Sequence, residues 1–478
     1  MDESDLAETV FYLVFGFYWL SFFWHEYVAY RQYTKYVETT SVPSDVASIL
    51  DEDSFRRSRL YKIDGARFSF VRSLYSQLEG TVILWWLVIA RVWLWCGELV
   101  GTGGRGDGVA DEMLQSACFF AVATLAETAL SLPWDIYDAF VIEHKHGFNK
   151  QTTGFFAKDQ LKSVLLKLTL GAPLCAAIVP IVRLGGSYFF VYVWLFMTCV
   201  TFFFMTVYPE YIAPLFDKYE PLKEGPLKHK IEALAQRLSF PLTKLYVVEG
   251  SKRSAHSNAY LYGFFNNKRI VLYDTLLAPD DAAQSSGTTS ATSGGEEEPT
   301  VARGGAEATA TAAAAGDSGE QRVHRRLGMT DDEVVAVLGH ELGHWALSHV
   351  VWNVVVAETN LLLMLAGFAY FYNSASVYAA FGFVDSRPTF VGLVIVLQYI
   401  FAPYNEVLAF LMNVSTRRKE FQADRFSAEL GYAALLRDAL VKLAKDNLSF
   451  PVNDWLYSAI NHSHPPIPER LDALKKHV

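Results

Sequence analysis

The chain has 478 residues, of which 51% are hydrophobic and 19% charged, and its formal net charge is −10. The acidic balance gives no electrostatic support to nucleic-acid binding, so we expect no nucleic-acid partner. The apolar residues cluster into long runs, which argues against a wholly soluble protein.

Seven of these runs have the length of about 20 residues that a helix needs to cross a membrane. The first run follows an acidic stretch and lacks a small-residue cleavage site, so it is not a cleaved signal peptide. We predict a mostly α-helical polytopic membrane protein with seven spans, at residues 10–28, 81–100, 113–134, 164–182, 188–207, 350–372 and 390–413.

Lysine and arginine alternate between the connecting loops. The loops after the first, third and seventh spans are rich in these residues, whereas those after the second, fourth and sixth carry one arginine each. Because such residues mark the cytosolic side, the N-terminus is predicted outside the cytosol and the C-terminus inside it. The long region between the fifth and sixth spans is then cytosolic as well.

This long region begins with a small mixed unit. An amphipathic helix is predicted to end at Phe240-Pro241, a strand to follow at residues 244–249, and residues 250–277 to alternate as strands do, with a turn at Asn266-Asn267. Residues 278–327 are rich in Ala, Gly, Ser and Thr, which indicates a solvated, disordered linker.

The motif that indicates chemistry is His340-Glu341-Leu342-Gly343-His344. Residues four apart lie on one face of a helix, so the two imidazoles can hold one Zn²⁺ from adjacent turns, and Glu341 can reach the metal-bound water. The alternative is a pair of surface histidines on an ordinary helix. A third ligand elsewhere in the chain argues against that alternative.

Glu420 is the predicted third ligand, because a catalytic zinc takes three protein ligands and keeps one position open. It follows the seventh span as His340 precedes the sixth, so both fall at the same cytosolic membrane face. Asp424, one turn further on, can accept the outer N–H of a zinc-bound histidine. A solvated helix face is the alternative for this pair. We predict one zinc ion per chain.

The ligand set predicts a hydrolase mechanism. Zinc lowers the pKa of its water to about 7, the water attacks the scissile carbonyl, and Glu341 acts as the general base. The developing oxyanion needs a further donor. Candidates are His464, for which a simple turn is the alternative, and Arg470, for which a solvated arginine is the alternative.

The predicted divisions follow from these elements: residues 1–207 hold spans one to five, 208–277 a helix and strand part of the protease domain, 278–327 the linker, 328–349 the zinc-motif helix, 350–413 spans six and seven, and 414–478 a C-terminal protease region. Six charged residues within or beside the spans should face one another or a hydrated interior, or reach out from span ends. They are Arg91, Glu98, Glu127, Lys167, Glu358 and Glu406. The four cysteines are predicted to be buried free thiols: Cys96, Cys118, Cys175 and Cys199.

Several longer strings, together with the zinc motif and the pair at 420 and 424, resemble the type I CAAX prenyl protease family of membrane zinc metallopeptidases, the farnesylated-protein converting enzymes. They are FVIEHKHGFNKQT at 140–152, IAPLFDK at 212–218, VEGSKRSAHSNAY at 248–260, and SHPP at 463–466 followed by Arg470. The resemblance covers nearly the whole chain, and the linker at 278–327 is its main departure.

The resemblance implies seven helices forming a hollow barrel around a hydrated chamber, with the active site at its cytosolic end. It implies residence in the endoplasmic reticulum and inner nuclear membranes, and substrates whose last three residues after a farnesylated cysteine are removed. Some members also cut further upstream. Matching positions imply that Asn258 lies on an edge strand where an extended substrate can pair, and that His464 and Arg470 assist the substrate or transition state.

Two other functions stay open at this point. One is a membrane quality-control metallopeptidase of broad specificity, and the other is a non-enzymatic multispan protein, against which the intact Glu341 argues. The partners expected are farnesylated CAAX substrates and membrane lipid, with the chain acting as a monomer. Lys475 and Lys476 resemble a dilysine retrieval signal, although a basic helix end is the alternative.

Overall fold

The computed structural model describes residues 2–44, 46–47, 49–102, 108–264, 267–278 and 327–477. Nearly all of the predicted linker, the residue Asn266 of the predicted turn and Val478 of the C-terminal tail therefore lie outside the described residues. Within them the chain is mostly helical, as predicted.

Fifteen α-helices are described, and short π- or 3₁₀-helical turns extend several of them. In chain order they are α1 (Glu3–Glu38), α2 (Glu52–Trp85), α3 (Val88–Leu99), α4 (Val109–Tyr137), α5 (Thr153–Leu184), α6 (Phe189–Val207), α7 (Pro226–Arg237), α8 (Asp331–Ala346), α9 (His349–Phe371), α10 (Ala375–Ala380), α11 (Thr389–Ile395), α12 (Ala402–Ser427), α13 (Ala433–Asp446), α14 (Trp455–Asn461) and α15 (Ile467–Leu474).

Five helices or helices with their extensions are long and apolar enough to cross a membrane: those around α1, α4, α5, α6 and α9. The number rises to seven if each of two bent pairs is one span. Only 6–22% of the residues in the five apolar windows are buried in the protein. Large apolar side chains such as Leu13, Phe203 and Val351 are exposed, as is expected of surfaces that face lipid.

The predicted second and seventh spans are these bent pairs. Helices α2 and α3 meet at 65°, and α11 with its π-helical extension (Val396–Ile400) meets α12 at 63°. Leu87 adopts the left-handed conformation (φ 49°) at the first bend, and a proline, which donates no backbone hydrogen bond, lies at the start of α12 after the second. Hydropathy alone predicts a straight span in both places.

Two of the charged residues predicted within spans bond to a neighbouring helix. Glu358 of α9 accepts a hydrogen bond from Thr198 of α6 at 2.6 Å. Glu406 of α12 accepts one from Ser21 of α1 at 2.7 Å and lies 3.0 Å from His25. The other four are exposed. All four cysteines are free, and Cys96 and Cys175 are buried, but Cys199 is exposed, so that part of the prediction is wrong.

A four-stranded sheet follows α6 in the chain. Its strands are β1 (Tyr219–Pro221), β2 (Leu242–Val248), β3 (Ala259–Phe264) and β4 (Asn267–Tyr273), in the order β1-β2-β4-β3. Strand β2 pairs parallel with β4, and the other two pairs are antiparallel. The strand predicted after Phe240-Pro241 is thus confirmed, and β3 forms one edge of the sheet.

Helix α8 lies in the core of the protease part. Its side chains Val334, Val335, Leu338 and Leu342 are buried against α7, α13 and the sheet. A second cluster joins Ala336 to α13 and α15 and to the chain before α2. The zinc motif is therefore carried on a helix that is held on several sides.

Candidate active site

The N-terminus of α8 is fixed by a capping box. Thr330 accepts a hydrogen bond from the backbone of Glu333, and the Glu333 carboxylate accepts one from the backbone of Thr330 at 2.7 Å. The same carboxylate receives the ammonium of Lys442 at 2.7 Å. Two orphan backbone donors are thereby satisfied, so the start of α8 and the position of the motif along it are fixed.

Helices α8 and α12 approach closely at the two glycines of α8. A Cβ added at Gly343 would lie 3.1 Å from the Cβ of Phe426, and one at Gly339 would lie 2.9 Å from the hydroxyl of Ser427. That hydroxyl donates to the carbonyl of Ala336 at 2.8 Å. Small residues let the helix backbones come together, which brings Glu420 of α12 beside the histidines of α8.

His340, His344 and Glu420 converge on one point. The Nε2 atoms of the two histidines are 3.2 Å apart, and Nε2 of His344 lies 3.2 Å from Oε1 of Glu420. One ligand atom from each residue falls within 4.8 Å of the others. His340 and Glu420 are buried and His344 is half-buried. The three residues predicted from the sequence as metal ligands are thus brought together.

The chemistry of this cluster fits a metal ion. Nδ1 of His340 is engaged with a carboxylate, so its Nε2 is left with a lone pair. Oε2 of Glu420 is buried without a well-formed hydrogen bond to any described group, although Nδ1 of His464 lies 2.8 Å away. Lone pairs that face one another in a buried site repel unless a cation lies between them, and two nitrogens and one carboxylate are a ligand set that zinc uses.

Asp424 occupies the position outside His340 that the spacing predicts. Its Oδ1 lies 2.8 Å from Nδ1 of His340. Arg470 holds the same carboxylate with two nitrogens, Nη2 at 2.6 Å from Oδ1 and Nε at 2.8 Å from Oδ2. All three side chains are buried. The solvated-arginine alternative for Arg470 is therefore wrong: two of its nitrogens bind Asp424, and Nη1 lies 3.8 Å from Oε2 of Glu420.

Four of the other predicted residues line one cavity of about 460 Å³ together with His340 and Glu420. It contains Glu341, His464, Arg470 and Asn258, which immediately precedes the edge strand β3. Burial raises the pKa of the Glu341 carboxyl, against the opposing effect of the nearby histidines. A carboxyl with a raised pKa is a better proton acceptor at neutral pH, as a general base requires.

Two of the segments that carry the family resemblance, residues 140–152 and 248–260, pack against each other beside this cavity. The ring of Phe148 stacks on His256 at 4.1 Å between centroids, and Nε2 of His256 lies 3.5 Å from Glu143. Glu143 also accepts a hydrogen bond from Tyr61 of α2 at 2.6 Å. These contacts join the membrane helices to the protease part, a role that the sequence reasoning did not assign to either string.

A further pair of residues near the cluster was also missed. Nδ1 of His349 lies 2.9 Å from Nδ1 of His344, and Nε2 of His349 lies 3.0 Å from Oε1 of Gln422. The helical spacing gives no signal for this contact, because α8 ends before His349 and the chain turns at Ser348, which is left-handed (φ 56°).

Comparison with known proteins identifies the chain's relatives. Residues 32–218 match the family model described as "CAAX prenyl protease N-terminal, five membrane helices", and residues 221–478 match "Peptidase family M48". A Mus musculus protein named CAAX prenyl protease 1 homolog is 47% identical over 99% of this chain and 97% of its own length. The chain belongs to the CAAX prenyl protease 1 family of M48 peptidases.

More distant members of the family agree. The Saccharomyces cerevisiae CAAX prenyl protease 1 is 32% identical over 97% of this chain and 94% of its own. The crystal structure of S. mikatae Ste24p superposes with a TM-score of 0.80 at 31% identity, and the match covers 97% of this chain and 98% of that one. The hollow helical barrel predicted for the family fits this structure. The protease is accordingly a multi-pass membrane metalloendopeptidase.

Proposed function

We propose that this protease binds one zinc ion through His340, His344 and Glu420 and removes the last three residues of farnesylated CAAX proteins. The main support is the convergence of the three ligand atoms within 4.8 Å of one another, beside a cavity that His340, Glu341 and Glu420 line. The names of the relatives supply the substrate class. The upstream cleavage known for some members of the family stays a prediction.

Zinc, when bound, supplies a Lewis acid that polarises a carbonyl and makes water more acidic. Glu341 takes the proton of the attacking water and delivers it to the leaving amine. His464, which lies beside Glu420 at the cavity, donates to the developing oxyanion. Asp424 and Arg470 hold His340 in the tautomer that leaves its Nε2 free to ligate.

The substrate is proposed to lie extended along β3. This strand is at the sheet edge, and Asn258, the residue immediately before it, lines the cavity. An edge strand presents unpaired backbone groups to which an extended peptide can add. The peptide end would then enter the cavity with its farnesylated cysteine near the membrane helices, in a membrane of the endoplasmic reticulum, with the C-terminus of the chain in the cytosol. We propose that the chain acts as a monomer.

The test replaces the general base in the full-length, detergent-purified protease. Glu341→Gln should lower cleavage of a farnesylated CAAX peptide by at least about 10²–10⁴-fold while leaving one zinc per chain, measured by metal analysis. Glu429→Gln, on an exposed ion pair with Arg425, serves as the matched control and should cleave normally. Cleavage that survives in Glu341→Gln would refute the proposed base.

A comparison of two peptide substrates distinguishes the proposed CAAX protease from a quality-control peptidase of broad specificity. A farnesylated peptide and an unmodified peptide of equal sequence should differ strongly in kcat/KM if the prenyl group is recognised. Equal cleavage of the two would favour broad specificity instead.

A further inference from the structure

His344, one of the three proposed zinc ligands, contacts another histidine through Nδ1, the ring nitrogen that does not ligate the metal. His349 is buried, and its ring faces that of His344 at 5.1 Å between centroids and 68° between planes. The two Nδ1 atoms are 2.9 Å apart. Its other nitrogen, Nε2, lies 3.0 Å from Oε1 of Gln422 on α12. The two histidines and Gln422 thus form a continuous chain of contacts from the cluster to α12.

The groups at the two ends of this series of contacts, the zinc ion and the amide of Gln422, determine which ring nitrogens carry a proton. Ligation through Nε2 leaves the ring proton of His344 on Nδ1, so His344 is the donor to Nδ1 of His349. The amide oxygen of Gln422 is an acceptor, so Nε2 of His349 carries the proton and donates to it. In this arrangement each of these ring nitrogens is either a donor or an acceptor, and each faces a group of the complementary kind.

We propose that His349 is a positioning residue, which sets the tautomer and the ring orientation of His344 for zinc binding, and that Gln422 in turn orients His349. This inference rests on the proposed function, because it assumes that His344 ligates the metal. It differs from the arrangement at His340, where a carboxylate paired with Arg470 has the corresponding place. Groups that orient a metal-bound histidine change metal affinity or activity by about 10- to 100-fold when removed.

The local fold explains how His349 reaches this position. The α8 helix ends after His344, Ser348 adopts the left-handed conformation, and α9 begins at His349 itself. The turn at Ser348 places His349 beside His344, and the chain then continues as a membrane-spanning helix. The start of that helix is thereby coupled to the geometry of the metal site.

The test measures zinc affinity in addition to activity, using the purified full-length protein and competition against a chelator of known zinc affinity. His349→Ala should weaken zinc binding by about 10- to 100-fold. His349→Asn places an amide oxygen near the position of Nδ1 and should restore affinity to within about threefold. Gln422→Leu should weaken binding less than His349→Ala, because it removes the outer contact only.

Asn353→Ala is the matched control. It removes the hydrogen bond between Asn353 of α9 and Lys419 of α12, at the same helix interface but without contact to His344, and its zinc affinity should match wild type. The inference is overturned if His349→Ala binds zinc like wild type, if His349→Asn is as weak as His349→Ala, or if Asn353→Ala is equally weak. A wild-type chain that holds no zinc would overturn the proposed function as well, whereas a zinc-binding, active wild type with an unaffected His349→Ala overturns this inference alone.

Discussion

The buried ion pair between Arg470 and Asp424 gives a prediction with a magnitude. The two side chains are 9% and 2% exposed, and the guanidinium contacts both carboxylate oxygens. Arg470→Met removes the cation and leaves the Asp424 carboxylate buried, with His340 as its remaining partner. Breaking a buried pair on one side costs about 3–5 kcal/mol of folding free energy.

The double variant separates the loss of the pair from the buried charge. Asp424→Asn combined with Arg470→Met removes both charges, so its destabilisation should be smaller than the sum of the two single effects, by about 0.5–3 kcal/mol. The assay is thermal unfolding in detergent at one scan rate, with chelator competition for zinc in parallel. Arg425→Met, which breaks an exposed ion pair with Glu429, is the control and should cost at most about 1 kcal/mol.

The zinc measurement decides what Arg470 does. If Arg470 acts through Asp424 and His340, Arg470→Met lowers zinc affinity as well as stability. If it instead contacts the transition state, kcat falls while zinc binding and stability stay near wild type. An Arg470→Met protein as stable as wild type, or strict additivity in the double variant, would refute the reasoning from burial and charge.

Two further predictions concern the substrate edge and pH. In wild type the side-chain oxygen of Asn258 accepts a hydrogen bond from the backbone N–H of Ala259 at 2.8 Å. Asn258→Asp keeps this acceptor but loses the amide donor. KM for a CAAX peptide should therefore rise about tenfold, with little change in zinc content. His462, near Arg417 and Lys62, has its pKa lowered to about 4, chiefly by burial. Below pH about 6.5 the unfolded chain binds a proton at His462 that the folded chain does not bind. Lowering the pH from 7 to 5 should therefore reduce the free energy of unfolding by less than about 2 kcal/mol through this residue. His462→Asn should show a smaller fall in unfolding temperature over the same pH range.

Each has a clear contrary result. An unchanged KM in Asn258→Asp would mean that the amide does not meet the peptide, and Asn258→Ala should then behave the same. Equal pH dependence of wild type and His462→Asn would mean that the acid sensitivity arises from other groups.

Many features of this protein could be predicted from residues that lie close together in the sequence. Composition predicts the apolar helices, and the spacing of four between His340 and His344 predicts that both imidazoles share one face of a helix. These features depend on residues a few positions apart, which the chain order itself supplies. Glu420, 76 positions beyond His344 by residue number, could be suggested from its place after the seventh span and from the resemblance.

Other features depended on packing between distant segments. The close crossing of α8 and α12 through Gly339 and Gly343 determines whether Glu420 meets the histidines, and no spacing in the sequence gives that distance. The bend at Leu87 is likewise absent from a hydropathy profile, because it arises from one backbone conformation.

The sequence by itself determined the class of the protein: a multispan membrane peptidase with a zinc motif on a helix. Only the tertiary structure decided which groups surround that motif, namely that Arg470 is bound to Asp424 and that His349 faces His344. The physical reason is that the period of a helix fixes which residues of that helix lie side by side. The partner of a buried polar atom depends instead on which distant segment lies within about 3 Å of it after folding.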